Sequence, residues 1–104
     1  MNKIGFNILP WTAGVTEKAF PILDRLKKIG YDGVEVFIGS PDEEEYRALA
    51  KHAHDLGLEV NAVTTLGENE SPISTDTASR SRGLDRIKWA IDRAHDLGST
   101  ILCG

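Results

Sequence analysis

Apolar positions along this chain fall into two periods, and the switch between them recurs three times. Short strand-forming runs occur at Ile4 to Leu9, Gly33 to Ile38, Glu59 to Thr64 and Thr100 to Cys103. Between them, apolar residues return at spacings of three and four. These are Ile22, Leu23, Leu26 and Ile29; then Tyr46, Leu49, Ala50, Ala53 and Leu56; then Leu84, Ile87, Ile91 and Ala94, with Ala90 on the same face. The first period is that of a strand and the second that of an amphipathic helix. Each helical stretch ends on a hydrophobic residue and a glycine: Ile29-Gly30, Leu56-Gly57 and Leu97-Gly98. The predicted order is β-α-β-α-β-α-β, the pattern of a parallel sheet covered by helices.

The helix ends carry their own signals. Thr16 is placed to cap a first helix running to Ile29, while Pro21, which removes an early backbone hydrogen bond, favours a later start near Phe20. Ser40-Pro41-Asp42-Glu43 reads as a capping box with proline at the first helical position. Asp42, Glu43, Glu44 and Glu45 suit the positive end of the helix dipole. That cluster is either a solvated first turn or a cation site. The third helix is predicted from Thr77 to Leu97. Ala53-His54-Asp55-Leu56-Gly57 recurs letter for letter at positions 94–98. One helix-ending unit used twice explains this: Leu packs inward and Gly takes the left-handed position.

The alternation within the strands predicts which face is which. Ile4, Phe6 and Ile8 share one face of the first strand, with Asn7 on the other. Val34, Val36 and Ile38 oppose Glu35, and Asn61 stands in the third strand with the parity of Glu35. In an open doubly wound sheet both faces are covered and strands read as continuous apolar runs. Polar residues recurring on one face suggest the inside of a closed barrel instead, where groups near the carboxyl ends of strands meet a ligand. Strand starts lie 29 residues apart (Ile4 to Gly33) and then 26 (Gly33 to Glu59), and eight units in about 250 residues need about 31 each. The fold class expected is α/β: the N-terminal half of a (β/α)8 TIM barrel, with four parallel strands and three helices in one partial domain over residues 1–104. The run stops at Gly104, before any fourth helix.

Candidate chemistry is sparse. Glu35 is the most informative residue, because a carboxylate between Val34 and Val36 needs a partner or a polar cleft. Trp11 follows the first strand, where barrel enzymes wall their pockets, and Cys103 ends the fourth strand as either core filler or pocket lining. The polar stretch from Gly67 to Asp76 is either a pocket wall or a mobile surface connection. His52, His54 and His95 form no metal-ligand pattern, and there is no HExxH, CxxC or GxGxxG. No residue here is assigned as a catalytic acid, base or nucleophile. The net charge of −4 and scattered basic residues argue against nucleic acid as a partner. No run of about 18 apolar residues suggests a membrane span. A single cysteine and the lack of a signal-peptide pattern fit a cytoplasmic protein.

Several motifs together resemble a known family. They are Lys3-Ile4-Gly5-Phe6-Asn7, Pro10-Trp11-Thr12, Gly30-Tyr31-Asp32-Gly33-Val34-Glu35, Lys88-Trp89-Ala90-Ile91-Asp92, the 94–98 unit and Leu102-Cys103-Gly104. The chain resembles sugar isomerases and epimerases of the xylose-isomerase-like TIM barrel group, nearest the ketose 3-epimerases of the tagatose and psicose type. The resemblance implies a metal-dependent isomerase that epimerises a ketose at C3 through an enediolate. It implies a divalent cation (manganese, cobalt or magnesium) held by two glutamates, an aspartate and a histidine on later strands. This chain alone would then bind no metal and be inactive. What the resemblance carries onto this sequence is a substrate-binding wall: Asn7, Trp11, Glu35, Thr64 and Cys103. Asn7 departs from the aromatic residue of some epimerases, which leaves the ketose open.

Two other readings stand beside this one. The chain is a small non-catalytic α/β module that self-associates or binds a partner, or it is a relative of hydroxypyruvate isomerase or inosose dehydratase. A DNA-repair endonuclease of the same superfamily fits the acidic balance poorly. A half-barrel leaves two sheet edges unpaired and an apolar face uncovered, so self-association into a homo-oligomer, or poor solubility, is expected, while the resemblance implies a small sugar as substrate.

Overall fold

In the computed structural model, which describes residues 2–104, the elements follow the predicted order. Strands β1 (Gly5–Asn7), β2 (Gly33–Phe37), β3 (Glu59–Val63) and β4 (Leu102–Cys103) form one sheet in the order β1-β2-β3-β4. All three pairings are parallel. Helices α1 (Phe20–Ile29), α2 (Glu43–Asp55) and α3 (Thr77–Asp96) make the crossovers. Spatial order equals chain order, with no reversal of the kind that marks a doubly wound sheet.

One face of the sheet makes the core. Ile8, Val34, Val36, Ile38 and Ala62 are all buried, and they pack with Leu23 and Leu26 of α1, Tyr46 and Leu49 of α2, and Ala90 and Ala94 of α3. Burial at roughly 25 cal/mol per Å² of apolar surface makes this face the main stabilising term. The other face carries Asn7, Glu35 and Asn61 in one register row, Asn7 beside Glu35 and Glu35 beside Asn61.

The helix ends show where local signals decide. Glu17–Ala19 forms a single 3₁₀ turn capped by Thr16, and α1 proper begins at Phe20 with Pro21 in its first turn. Proline is tolerated there because its missing N–H had no helical partner. The second helix begins later than the capping-box reading: Asp42, not Ser40, is the cap, its Oδ1 accepting from Glu44 N at 3.0 Å. Ser40 lies outside the helix, its hydroxyl donating to Glu45 and its carbonyl accepting from the Tyr46 hydroxyl at 2.7 Å. The repeated pentapeptide ends α2 and α3 in the same way. Gly57 and Gly98 sit at φ 72° and 71°. Leu58 N donates to Ala53 O, as Ser99 N does to Ala94 O. Both satisfy carbonyls the helix would otherwise leave open.

Two stripes differ from expectation. Leu84 and Ile91 of α3 are about half exposed, and Ile29 of α1 is more so. The face of α3 that is buried consists of Ser79, Gly83, Ala90, Arg93 and Ala94. The acidic first turn of α2 is engaged with cations of its own chain: Glu43 meets Arg93 at 2.8 Å and Arg47 at 3.4 Å, and Glu44 meets Arg47 at 2.7 Å. Among the described residues, no helix is long and apolar enough to cross a membrane.

Candidate functional site

The polar row on the concave face is held by its own side chains. Asn7 ends β1, and its Oδ1 accepts from Leu9 N at 2.8 Å. That contact turns the amide so that Nδ2 donates to Glu35 Oε1, also at 2.8 Å. The second Glu35 oxygen, Oε2, faces the thiol of Cys103 at 3.5 Å. Glu35 therefore has a partner on each oxygen, which is how a carboxylate between two core valines is tolerated.

The contact with Cys103 also reports the shape of the sheet. Cys103 is on β4 and Glu35 on β2, with β3 between them. In a flat sheet those strands stand about 9.5 Å apart. Closing that span takes both a lean of Glu35 over β3 and a sheet curled towards this face. In a closed barrel, side chains of alternate strands share one layer, and Glu35 and Cys103 meet in that relation. A groove of about 340 Å³ lies along this face, walled by Asn7, Glu35 and Asn61 and floored at the amino ends of the strands by Lys3 and Glu59. Lys3 and Glu59 form an ion pair across that floor. Gly33, in the same groove, has a backbone reason: a Cβ there would sit 2.8 Å from the Glu59 carbonyl oxygen.

The electrostatics suit binding rather than nucleophilic attack. The hydrogen bond to Glu35, then burial, then the repulsion of that carboxylate hold the Cys103 thiol above its ordinary pKa. A thiol is a poor nucleophile until ionised. Asn7 keeps one amide N–H free, Glu35 keeps lone pairs, and the Asn61 side chain has no hydrogen-bond partner among the described residues. Together they can both donate to and accept from a polyhydroxylated ligand. No group of three or more His, Cys, Asp or Glu among the described residues is placed to hold a metal ion. With both Glu35 oxygens engaged, these residues do not fit a metal centre.

The structure brings together Asn7, Glu35 and Cys103 and places Trp11 and Thr64 elsewhere. The Trp11 ring stacks on Phe6 with centroids 4.7 Å apart and planes 9° apart. It borders a groove against Ile22, Leu26 and Ile29 of α1, on the helical side. Thr64 shares the parity of Ala62 and is buried. Its hydroxyl donates to the Ile38 carbonyl at 2.9 Å. Arg86, which sequence reasoning missed, completes this contact: Nη2 lies 3.2 Å from the same carbonyl and 3.4 Å from Thr64 Oγ1. Its guanidinium covers the Trp89 ring at 4.3 Å. Arg86 and Thr64 thus tie the carboxyl ends of β2 and β3 together behind the groove. The only sequence signal for Arg86 was a basic residue set among Leu84, Ile87 and Trp89.

The loop from Gly67 to Asp76 is strapped to α3. Arg82 donates to Asn69 O at 2.9 Å, Arg80 to Ser74 O at 2.8 Å, and Ser71 N to Ser79 Oγ at 3.3 Å.

Comparison with known proteins bears on what this face does. The sequence model of the xylose isomerase-like TIM barrel family matches residues 23–103. L-ribulose-5-phosphate 3-epimerase UlaE of Escherichia coli (strain SMS-3-5 / SECEC) is 30% identical over 106 residues, covering 86% of this chain and 37% of its own length. The same enzyme of Salmonella heidelberg (strain SL476) matches equally. Among solved structures, an L-ribulose 3-epimerase superposes with a TM-score of 0.86 at 27% identity, over 98% of this chain and 35% of its own. A D-psicose 3-epimerase in the presence of D-fructose shares the fold, with a TM-score of 0.82 at 22% identity, over 97% of this chain and 36% of its own. The four strands and three helices match the amino-terminal portion of a TIM barrel. The chain spans a little over a third of the length of the curated relatives it matches.

Proposed function

Because the chain belongs to the xylose isomerase-like TIM barrel family, we propose that it forms the substrate-facing wall of a sugar 3-epimerase. The substrate class is a ketose or ketose phosphate. The observation that carries this reading is the Asn7–Glu35–Cys103 contact on the concave face, at the height where a barrel presents side chains to its ligand. Asn7, Glu35 and Asn61 hydrogen-bond sugar hydroxyls, and Cys103 stays a neutral donor that fixes Glu35. Arg86 and Thr64 position this wall from behind. Trp11 acts from the outer side, by holding the turn after β1.

The catalytic groups, including the residues that hold a divalent cation, belong to barrel strands other than these four. A cation, when bound, supplies electrostatic stabilisation for charge developing on the sugar oxygens. The 104-residue chain alone then binds sugar weakly and does not turn it over. The reading also implies a cytoplasmic enzyme of carbohydrate metabolism.

Saturation-transfer NMR tests the binding. The chain is mixed in turn with L-ribulose, L-ribulose 5-phosphate and D-fructose, beside an Asn7→Ala/Glu35→Ala variant whose fold is checked by circular dichroism. Transfer to the sugar C–H protons of at least one ketose, lost in the variant, supports the reading. No transfer to any of the three, or equal transfer in the variant, overturns it. Incubation with D-fructose and manganese should yield no psicose, and robust conversion would contradict the placement of the catalytic groups.

A further inference from the structure

The proposed substrate class takes in free ketoses and ketose phosphates, and the charges around the wall separate the two. Glu35 is held by neutral groups: the Asn7 amide donates to Oε1, and the Cys103 thiol faces Oε2. Lys3, the one cation lining the groove among the described residues, is paired with Glu59 at the amino ends of the strands. Asp32 lines that end too, its Oδ2 accepting from Ile4 N at 2.8 Å. Asp32, Glu35 and Glu59 stand against one lysine, so the groove is acidic.

The places where a phosphate is ordinarily received are filled in the same sense. In a parallel α/β fold each helix starts at the carboxyl ends of the strands, and its free N–H groups bind phosphate there. The turn that opens α1 is capped by Thr16 and carries Glu17. At the start of α2, Asp42 Oδ1 accepts from Glu44 N at 3.0 Å, with Glu43, Glu44 and Glu45 in the first turn. At the start of α3, Asp76 Oδ2 accepts from Ser79 N at 3.0 Å. The arginines of the first half of α3 are turned to carbonyl oxygens: Arg80 to those of Ser74 and Thr75, Arg82 to that of Asn69, and Arg86 to that of Ile38. Each of these contacts joins residues of this chain, whatever else lines the lumen.

We propose that this wall takes a free ketose in preference to its phosphate, with Glu35 as the discriminating residue. The preference deepens the sugar-wall reading above and rests on it. A carboxylate only accepts hydrogen bonds, and a sugar hydroxyl donates to it. A phosphate monoester near pH 7 carries a charge of about −1.5 to −2 and offers accepting oxygens. It therefore meets Glu35 acceptor to acceptor and like charge to like charge. A pentulose is shorter than the ~10 Å Debye length at 0.1 M salt, so a phosphate on the bound sugar stays within reach of that charge. In dilute buffer such a repulsion changes a binding constant about tenfold.

Titration of the nitrogen-15-labelled chain with L-ribulose and with L-ribulose 5-phosphate reads the preference. The side-chain amide signals of Asn7 and Asn61 report each dissociation constant. In about 20 mM salt the free sugar should bind about tenfold more tightly than the phosphate. Glu35→Gln keeps a hydrogen-bonding group of the same shape and removes the charge. It should bring the two constants within about twofold, chiefly by tightening the phosphate. Raising the salt to about 300 mM shortens the Debye length and should narrow the gap in the wild type, a readout that needs no variant. Equal or tighter binding of the phosphate overturns the proposal. So does a gap left unchanged by either Glu35→Gln or salt. If neither sugar moves the Asn7 and Asn61 signals, the sugar-wall reading itself fails and this preference falls with it.

Discussion

Replacing Gly83 with alanine should destabilise this protein, although the same exchange inside an ordinary helix does the reverse. Alanine at an open helical position gains about 1 kcal/mol over glycine. At Gly83 the added Cβ would lie 2.8 Å from the Glu70 carbonyl oxygen, 2.8 Å from Pro72 N and 3.0 Å from the Glu70 carbonyl carbon. All three are backbone atoms, so no side chain can swing aside. The segment that carries them is held by Arg82 at Asn69 O, by Ser79 at Ser71 N and by the Glu70 carboxylate at Gly67 N. Overpacking of this kind costs about 1–3 kcal/mol. Three simultaneous clashes place it in the upper half, leaving a net loss of about 1–2 kcal/mol after the propensity gain. For a domain of this size, that lowers Tm by roughly 5–15 °C. Urea and thermal unfolding followed by circular dichroism at 222 nm would measure it. Ser81→Ala, on the exposed side of the same helix, should stay within about 0.5 kcal/mol of wild type. An unchanged or raised Tm for Gly83→Ala would refute the argument that α3 and the loop are locked together.

Thr64→Val removes the hydroxyl that donates to the Ile38 carbonyl and should cost about 1 kcal/mol in urea unfolding; a neutral result would mean that Arg86 alone ties the two strand ends. Burial holds the Tyr46 hydroxyl above its ordinary pKa of 10.0. The folded state therefore keeps that proton more tightly than the unfolded chain, and its contribution is intact below pH 10 and lost as pH rises through the folded value. Alkaline titration at 295 nm of a Tyr31→Phe variant should show Tyr46 ionising above pH 10.0, and ionisation at or below that value in the folded chain would contradict this.

Much of the fold was legible because the signals that decide it are local. The Ala-His-Asp-Leu-Gly unit writes the same helix end twice, and Pro21 fixes where α1 can begin. Strand alternation was enough to put Asn7 and Glu35 on one face and Val34 and Val36 on the other. What escaped depended on neighbours. The α3 stripe read as core because Leu84 and Ile91 have helical spacing, but the face of α3 that packs is the one with Gly83, Ala90 and Ala94, and spacing alone does not say which face meets the neighbours. Thr64 and Trp11 were singled out by position along the chain, while parity puts Thr64 with Ala62, and the ring of Phe6 draws Trp11 outward. Arg86 reaches a carbonyl 48 residues away in sequence, a contact no local pattern announces. The meeting of Cys103 with Glu35 depends on curvature, which strand sequences alone do not state.

The most direct measurement concerns that meeting, since the proposed sugar-facing wall stands on it. Cys103 is the single cysteine, so its ionisation can be read from the pH dependence of alkylation by iodoacetamide. With Glu35 beside it, the thiol should titrate above its ordinary value of 9.0. Glu35→Gln removes the charge that opposes ionisation, so it should lower the pKa and speed alkylation at pH 8. Coincident pH profiles for the wild type and Glu35→Gln would mean that β2 and β4 do not face each other across a concave lumen.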